Sequence, residues 1–143
     1  MRLFTIGYEK RSIEKFIRNL KENNIDVLVD IRAVPHSRNK DYAKKNLEFI
    51  LNKNDIEYLL TRELGSPEDL RKKVKSDRDY EYFFREYDKF LEGKKEYLME
   101  LINIAGKNSI CLLCFEADIN RCHRRSVAGR MAEISGGLEI IHL

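Results

Sequence analysis

The run ICLLCF at residues 110–115 decides the fold. Its six apolar residues show no polar alternation, which is typical of a central strand buried on both faces of a parallel sheet. Four further strand-like runs occur at residues 3–6, 27–31, 57–60 and 138–141. Helical periodicity fills most of the intervals between these runs. The alternation predicts one α/β domain over residues 1–143, with three layers and a mainly parallel sheet of about five strands covered by helices on both faces.

Apolar residues spaced three and four apart predict the helices. The first helix begins after Ser12, a favourable N-cap residue, and the second covers residues 43–51. The stretch DYEYFFREYDKFLEG and the stretch KKEYLMELINIAG predict two helices that meet at Gly93. Between residues 61 and 79 the chain is polar and irregular in pattern, so we expect no regular element there.

Composition favours a local basic site over a general affinity for nucleic acid. The chain has 27 Lys and Arg against 24 Asp and Glu, a net charge of +3, so two large populations of charge nearly cancel. Three cysteines are an odd and small number, which predicts reduced thiols in a cytoplasmic protein. There is no basic, apolar leader and no apolar stretch near the roughly 20 residues of a membrane helix, so we expect no membrane association.

Charged and reactive residues end two of the predicted strands. Cys114 and Glu116 share one face at the end of ICLLCF, and Asp30 and Arg32 share one face at the end of VLVDIR. Ligands of open parallel sheets bind beyond the carboxyl ends of the strands. If these two strands are neighbours, the two pairs line one site. The alternatives are that Asp30 and Arg32 form a structural ion pair and that Cys114 is a small core residue.

The stretch CFEADINRCHRR at residues 114–125 predicts an anion site. Asn120 is a plausible N-cap, which places the next three residues in the first helical turn. Free N–H groups and the helix dipole favour an anion there, and Arg121 or Arg124 would strengthen its binding. The same field lowers the pKa of a cysteine, so Cys122 is predicted to be the most reactive thiol.

The cysteines leave other chemistry open. Cys111 and Cys114 lie three apart in a strand and face opposite ways, so they cannot bind one ion together. We predict no metal site, although a single ion bound by Cys114, Glu116, Cys122 and His123 is an alternative. Redox chemistry between Cys114 and Cys122 is another, and it requires the two sulfurs to lie within disulfide reach. His123 lies on the inward stripe of its helix, where it is either part of the site or a core histidine.

Five motifs together resemble one family. They are TIGY at 5–8, DIRAVPHSR at 30–38, ELG at 63–65, CFE at 114–116 and CHR at 122–124. The combination resembles the domain-of-unknown-function 488 family of small bacterial and archaeal proteins. Members of that family often have His-Ser where this chain has Tyr8 and Glu9. The resemblance implies a site at these motifs and does not imply a particular reaction.

These patterns predict an enzyme, a hydrolase or transferase, that acts on an anionic, phosphate-bearing substrate. Such a substrate is a nucleotide, a nucleoside derivative or a nucleic-acid end. The predicted catalytic residues are Glu116, Asp30, Cys122 and His123. The predicted substrate-binding residues are Arg32, Ser37, Arg38, Asn120, Arg121, Arg124, Gly7 and Tyr8. The alternative is a non-catalytic nucleic-acid or nucleotide binding module, which would use the same basic rim without the cysteines or Glu116. The sequence does not determine the cofactor or the oligomeric state, and both are left unknown.

Overall fold

Five parallel strands form one sheet in the computed structural model, which describes residues 1–143. The strands are β1 (Arg2–Gly7), β2 (Val27–Asp30), β3 (Glu57–Leu60), β4 (Ile110–Cys114) and β5 (Glu139–His142). Their order across the sheet is β3-β2-β4-β1-β5, so β4 lies in the middle. Every residue of β4 is buried, which confirms the prediction made from its continuous apolar run.

Six α-helices cover the two faces of the sheet, and the three-layer α/β fold is confirmed. They are α1 (Ile13–Glu22), α2 (Lys44–Lys53), α3 (Glu68–Asp77), α4 (Tyr80–Glu92), α5 (Lys95–Ala105) and α6 (Arg124–Ser135). Helices α1 and α2 pack on one face in a cluster that contains Phe16 and Leu51. The other four pack on the opposite face, in a cluster that contains Phe83, Tyr87 and Leu91. No helix is long and apolar enough to span a membrane.

Helix α3 contradicts the expectation of irregular structure between residues 61 and 79. Leu70 is its only buried residue, so the apolar stripe that reveals most helices is missing from its sequence. Its end signals are present: the N-cap is Pro67, Glu68 and Asp69 occupy the first turn, and Arg78 ends the helix in the left-handed conformation. Val74, one turn after Leu70, is partly buried against the same core, so the apolar face of this helix is narrow.

Helix α6 begins later than the sequence predicts. Asp118, not Asn120, is the first capping residue, and its side chain accepts from the Asn120 N–H at the start of a short 3₁₀ helix at Ile119–Arg121. Cys122 follows in an extended conformation, and α6 begins only at Arg124. Cys122 is therefore outside the first turn of α6, and the prediction that placed it there is wrong.

Gly7 allows the ends of β1 and β4 to run side by side. Beyond the strands, the Tyr8 N–H donates to the Cys114 carbonyl at 3.3 Å and the Glu9 N–H donates to the Phe115 carbonyl at 2.8 Å. A Cβ atom on Gly7 would overlap the carbonyl group of Glu116. Only glycine fits at this position without displacing backbone that borders the carboxyl edge of the sheet.

Replacing Gly7 by alanine should therefore destabilise the fold. We expect Gly7→Ala to reduce the free energy of unfolding by about 1–3 kcal/mol, because the clash is with backbone and not with a flexible side chain. Gly129→Ala is the control, since a Cβ atom there meets nothing within 4 Å inside α6. It should stabilise the protein by about 0.5–1 kcal/mol. Urea unfolding measures both, and equal midpoints for Gly7→Ala and the unmodified chain would contradict the packing described.

Candidate functional site

A cavity of about 1070 Å³ lies at the carboxyl edge of the sheet. Its walls come from the loops that follow β1, β2 and β4, together with the first turns of α3 and the residue before α6. This is where an open parallel sheet binds its ligands. The strand order explains the placement, because β4 lies between β1 and β2 and brings their three loops together.

Positive charge dominates the lining of this cavity. The Lys and Arg residues in the lining are Lys10, Arg11, Arg32, Arg38, Arg71 and Lys75. They outnumber the two acidic residues, Glu9 and Glu116. A concave wall with this imbalance concentrates anions, because the low-dielectric surroundings focus the field into the opening.

Half of the predicted site residues line the cavity. Those in the lining are Tyr8, Arg32, Ser37, Arg38, Glu116 and His123. Those outside it are Gly7, Asp30, Asn120, Arg121, Cys122 and Arg124. The shared edge predicted from β2 and β4 is present, because these strands are neighbours. The residues that the lining excludes have structural partners instead.

Asp30 fixes Arg32 from below the cavity. The Arg32 guanidinium donates to both Asp30 carboxylate oxygens, at 2.9 and 2.7 Å, and Tyr58 Oη donates to Asp30 Oδ2 at 2.6 Å. Asp30 is paired with Leu113 in the sheet, so it faces away from Cys114 and is fully buried. The side chains of the two strand ends therefore do not share one face. Burial lowers the pKa of Arg32, but the hydrogen bonds and charge of Asp30 outweigh it, and the net pKa is raised.

An aromatic wall adjoins the Arg32 guanidinium. Tyr8 stacks on Tyr42 with ring centroids 4.3 Å apart, and Arg32 lies 5.3 Å from the centre of the Tyr8 ring. Phe115 meets Tyr8 edge-on at 5.3 Å. Phe115 is 47% exposed and Val34 is 61% exposed, and both line the cavity. The site therefore combines cations with apolar surface that a flat ring could cover.

Glu116 and His123 are the two titratable groups of the lining with shifted pKa values besides Arg32. Burial raises the pKa of Glu116, and a backbone hydrogen bond and the charge of Arg124 offset this only in part. Burial lowers the pKa of His123 to about 4, so its ring is neutral near pH 7. His123 Nε2 lies 2.8 Å from the Ile31 carbonyl, which can only accept, so Nε2 carries the proton. Nδ1 then has the free lone pair.

Arg124 and the start of α6 do not form the anion site that the sequence predicts. The Arg124 guanidinium donates to Thr5 Oγ1 and to the carbonyls of Glu116 and Ala117, and the side chain is 1% exposed. The first N–H groups of α6 donate to Cys122 and His123. Arg121 is exposed and lies 3.7 Å from Asp118. The prediction fails because the helix begins later and its N–H groups already have partners.

The cysteines also differ from expectation. Cys114 and Cys122 form a disulfide in this structure, which differs from the predicted three reduced thiols and meets the requirement of the redox alternative that their sulfurs lie within disulfide reach. Cys111 is free and fully buried, and burial raises its pKa. Cys122 is 1% exposed, which contradicts its prediction as the accessible thiolate. The sulfurs of Cys114 and Cys122 and a ring nitrogen of His123 all lie within 4.8 Å of one another. Metal ions bind thiolates, and the two sulfurs of a disulfide are not thiolates, so the disulfide form does not suit a metal ion.

Sequence reasoning missed several cations of the cavity. Lys10 and Arg11 follow the TIGY motif immediately after β1, and their place at a strand end was a usable signal. Arg71 and Lys75 lie four residues apart on α3 and so share one face of that helix. Their positions do not follow from the sequence, because the pattern between residues 61 and 79 predicts no regular element there.

The pKa of His123 predicts a pH dependence of stability. An unfolded histidine titrates near 6.5, and folded His123 titrates at about 4, so the unfolded chain binds more protons between these values. Stability is therefore full above pH 6.5 and is lost as the pH falls. We expect the protonation of His123 on unfolding to lower the free energy of unfolding by about 2 kcal/mol between about pH 7.5 and about pH 5.

The variant His123→Gln isolates this contribution, because it keeps a donor for the Ile31 carbonyl and removes the titrating ring. Chemical unfolding across this pH range should show a shallower decline for the variant. Parallel curves for the two proteins would show that His123 is not buried in its neutral form.

No curated protein and no solved structure matches the chain. The family model described as domain of unknown function DUF488 matches residues 12–131. This range contains α1 to α5 and most of α6, with β2, β3 and β4. The chain belongs to the DUF488 family.

Proposed function

We propose that the protein is an enzyme, a hydrolase or transferase, that acts on an anionic, phosphate-bearing substrate. The substrate class is a nucleotide, a nucleoside derivative or a nucleic-acid end. The observation that carries this proposal is the concentration of six Lys and Arg residues against two Glu residues around one cavity at the carboxyl edge of the sheet. The whole chain has a net charge of only +3, so the positive charge around the cavity is a local concentration and does not reflect a generally basic protein.

Three of the cations are available to bind the substrate. Lys10, Arg38 and Lys75 are exposed, and none of them forms a salt bridge or a side-chain hydrogen bond within the protein. Arg11 and Arg32 are already hydrogen-bonded and contribute mainly through their charge. Exposed, unpaired cations on three different segments suit a phosphate group, which accepts from several directions at once.

The apolar part of the lining supports a substrate that also carries a ring. Phe115 and Val34 are exposed at the cavity, and aromatic side chains stack on nucleobases with about 1–3 kcal/mol per base. Tyr8 contacts the Phe115 ring edge-on. A nucleotide carries both a phosphate group, which the cations would bind, and a ring, which would stack on Phe115.

Glu116 and His123 supply the acid–base chemistry. Because burial raises the pKa of Glu116, this carboxyl holds its proton at a higher pH than an ordinary glutamate, which suits a general acid. Neutral His123 offers Nδ1 as a proton acceptor or as an orienting group. Asp30 and Cys122 have no part in this proposal, because they lie outside the lining.

Removing two of the free cations should weaken binding of a phosphate compound. We expect Arg38→Ala with Lys75→Ala to raise the dissociation constant of ATP or pyrophosphate at least about tenfold, because each variant removes a charged donor. The control is Arg18→Ala with Lys95→Ala, which removes the same charge from exposed positions outside the cavity. Isothermal titration at several salt concentrations measures both. An equal loss of affinity in the two double variants would show that the effect comes from the overall charge of the protein and not from a site in the cavity.

Glu116 separates an enzyme from a binding module. The protein is incubated with nucleoside mono-, di- and triphosphates and with 5′-phosphorylated oligonucleotides, and the products are separated by chromatography. We expect conversion of at least one compound, and we expect Glu116→Gln to lose about 10²–10⁴-fold in turnover while it still binds that compound. Binding without conversion of any compound would contradict catalysis and favour a nucleotide or nucleic-acid binding module.

A further inference from the structure

Arg124 is a buried cation without an anionic partner. Its side chain is 1% exposed, and it forms no salt bridge. Its acceptors are the Thr5 hydroxyl, the carbonyls of Glu116 and Ala117, and the Cys114 sulfur, all of them uncharged. A buried charge without a counter-ion costs several kcal/mol, and burial lowers the pKa of Arg124 accordingly.

The Cys114 sulfur is the acceptor that can become an anion in contact with this cation. Arg124 Nη1 lies 3.3 Å from Cys114 Sγ. In the disulfide this sulfur is neutral, whereas reduction would leave a thiolate paired directly with the guanidinium. Cys122 differs, because its sulfur accepts only a backbone N–H, that of Arg124 at 3.5 Å.

The two sulfurs differ in their position relative to the cavity. Both cysteines are 1% exposed, but Cys114 lines the cavity at the end of the central strand and Cys122 does not. The Cys114 side of the disulfide therefore lies nearer the cavity. The third cysteine, Cys111, faces the opposite side of the sheet and packs in the α1–α2 cluster.

We propose that Cys114 and Cys122 form a reversible dithiol–disulfide couple in which Cys114 reacts from the cavity and Arg124 holds its sulfur as a thiolate. This inference rests on the contacts of Arg124 and does not require the proposed function. The reaction partner is a dithiol small enough to enter the cavity. The reduced site is a nucleophile toward disulfides and other soft electrophiles.

The dithiol reduces the Cys114–Cys122 disulfide in two exchange steps. One thiolate of the dithiol attacks Cys114 Sγ, the Cys114–Cys122 bond breaks, and Cys122 leaves and takes up a proton. The second thiol of the dithiol then attacks the mixed disulfide, forms a cyclic disulfide and releases Cys114 as a thiolate. Two electrons pass to the protein, and the two protons of the dithiol end on Cys122 and in the solvent.

The charged and titratable groups around the Cys114 sulfur act in different directions. Arg124 favours the thiolate by direct contact. A Glu116 carboxylate would oppose it, and burial raises the pKa of that carboxyl group. His123 is neutral near pH 7 because its pKa is about 4. Cys122 carries no charge once it is protonated.

The test is the rate of alkylation of each cysteine. The full chain is first titrated without reductant, when only Cys111 should be present as a thiol. It is then reduced with dithiothreitol, freed of reductant under anaerobic conditions and treated with iodoacetamide in the presence of a chelator, over a range of pH. Mass spectrometry identifies the labelled residue. We expect Cys114 to react at least about tenfold faster than Cys111 or Cys122 near pH 7, with a midpoint below the ~8.5 of free cysteine.

Two variants assign the effect to the guanidinium. Arg124→Met should raise the Cys114 midpoint by about 1 pH unit or more, because it removes an opposite charge in direct contact. Arg125→Met is the control, since Arg125 is exposed on the same helix and lies over Phe84. If Arg124→Met does not fold, the pH dependence of Cys114 alkylation in the unmodified chain still tests the proposal. Three free thiols before reduction, or a Cys114 midpoint at or above ~8.5, would overturn the proposal.

Discussion

The hydrogen bonds of the Arg124 guanidinium hold together the ends of the two central strands. They join α6 to Thr5 in β1, to Cys114 at the end of β4 and to the Glu116 and Ala117 carbonyls beyond it. Gly7 lets this backbone approach β1 closely, because a Cβ atom there would overlap the Glu116 carbonyl. On the other face of the sheet, the ion pair of Arg32 and Asp30 fixes the end of β2. Buried arginines thus hold the strand ends beside the cavity, and Lys10, Arg38 and Lys75 in its lining are exposed and form no salt bridge.

The sequence predicts the sheet well because its signal is local. All five strands form where apolar runs occur, and β4 is central as its lack of polar residues requires. Helix α3 has no such signal, since one buried leucine among charged residues gives no apolar stripe. The sequence prediction places the start of α6 too early, because the capping residue Asp118 begins a separate 3₁₀ helix and Cys122 is extended before α6 begins at Arg124.

The site was predicted in outline and not in its assignments. Arg32, Arg38, Glu116 and His123 line the cavity. Arg32 and Glu116 each follow a strand end by two residues, and His123 directly precedes α6. The role of Arg124 could not be predicted, because no sequence pattern shows that an arginine will fold inward onto backbone carbonyls. The bond between Cys114 and Cys122 depends on the path of the intervening loop, which residue types alone do not determine.

The central claim is that the cavity, and not the start of α6, binds an oxyanion. The most direct measurement is a crystal soaked in tungstate, with the tungsten located by anomalous scattering. The account predicts a peak inside the cavity within contact distance of Arg38 or Lys75. A peak at the first turn of α6, with none in the cavity, would contradict it.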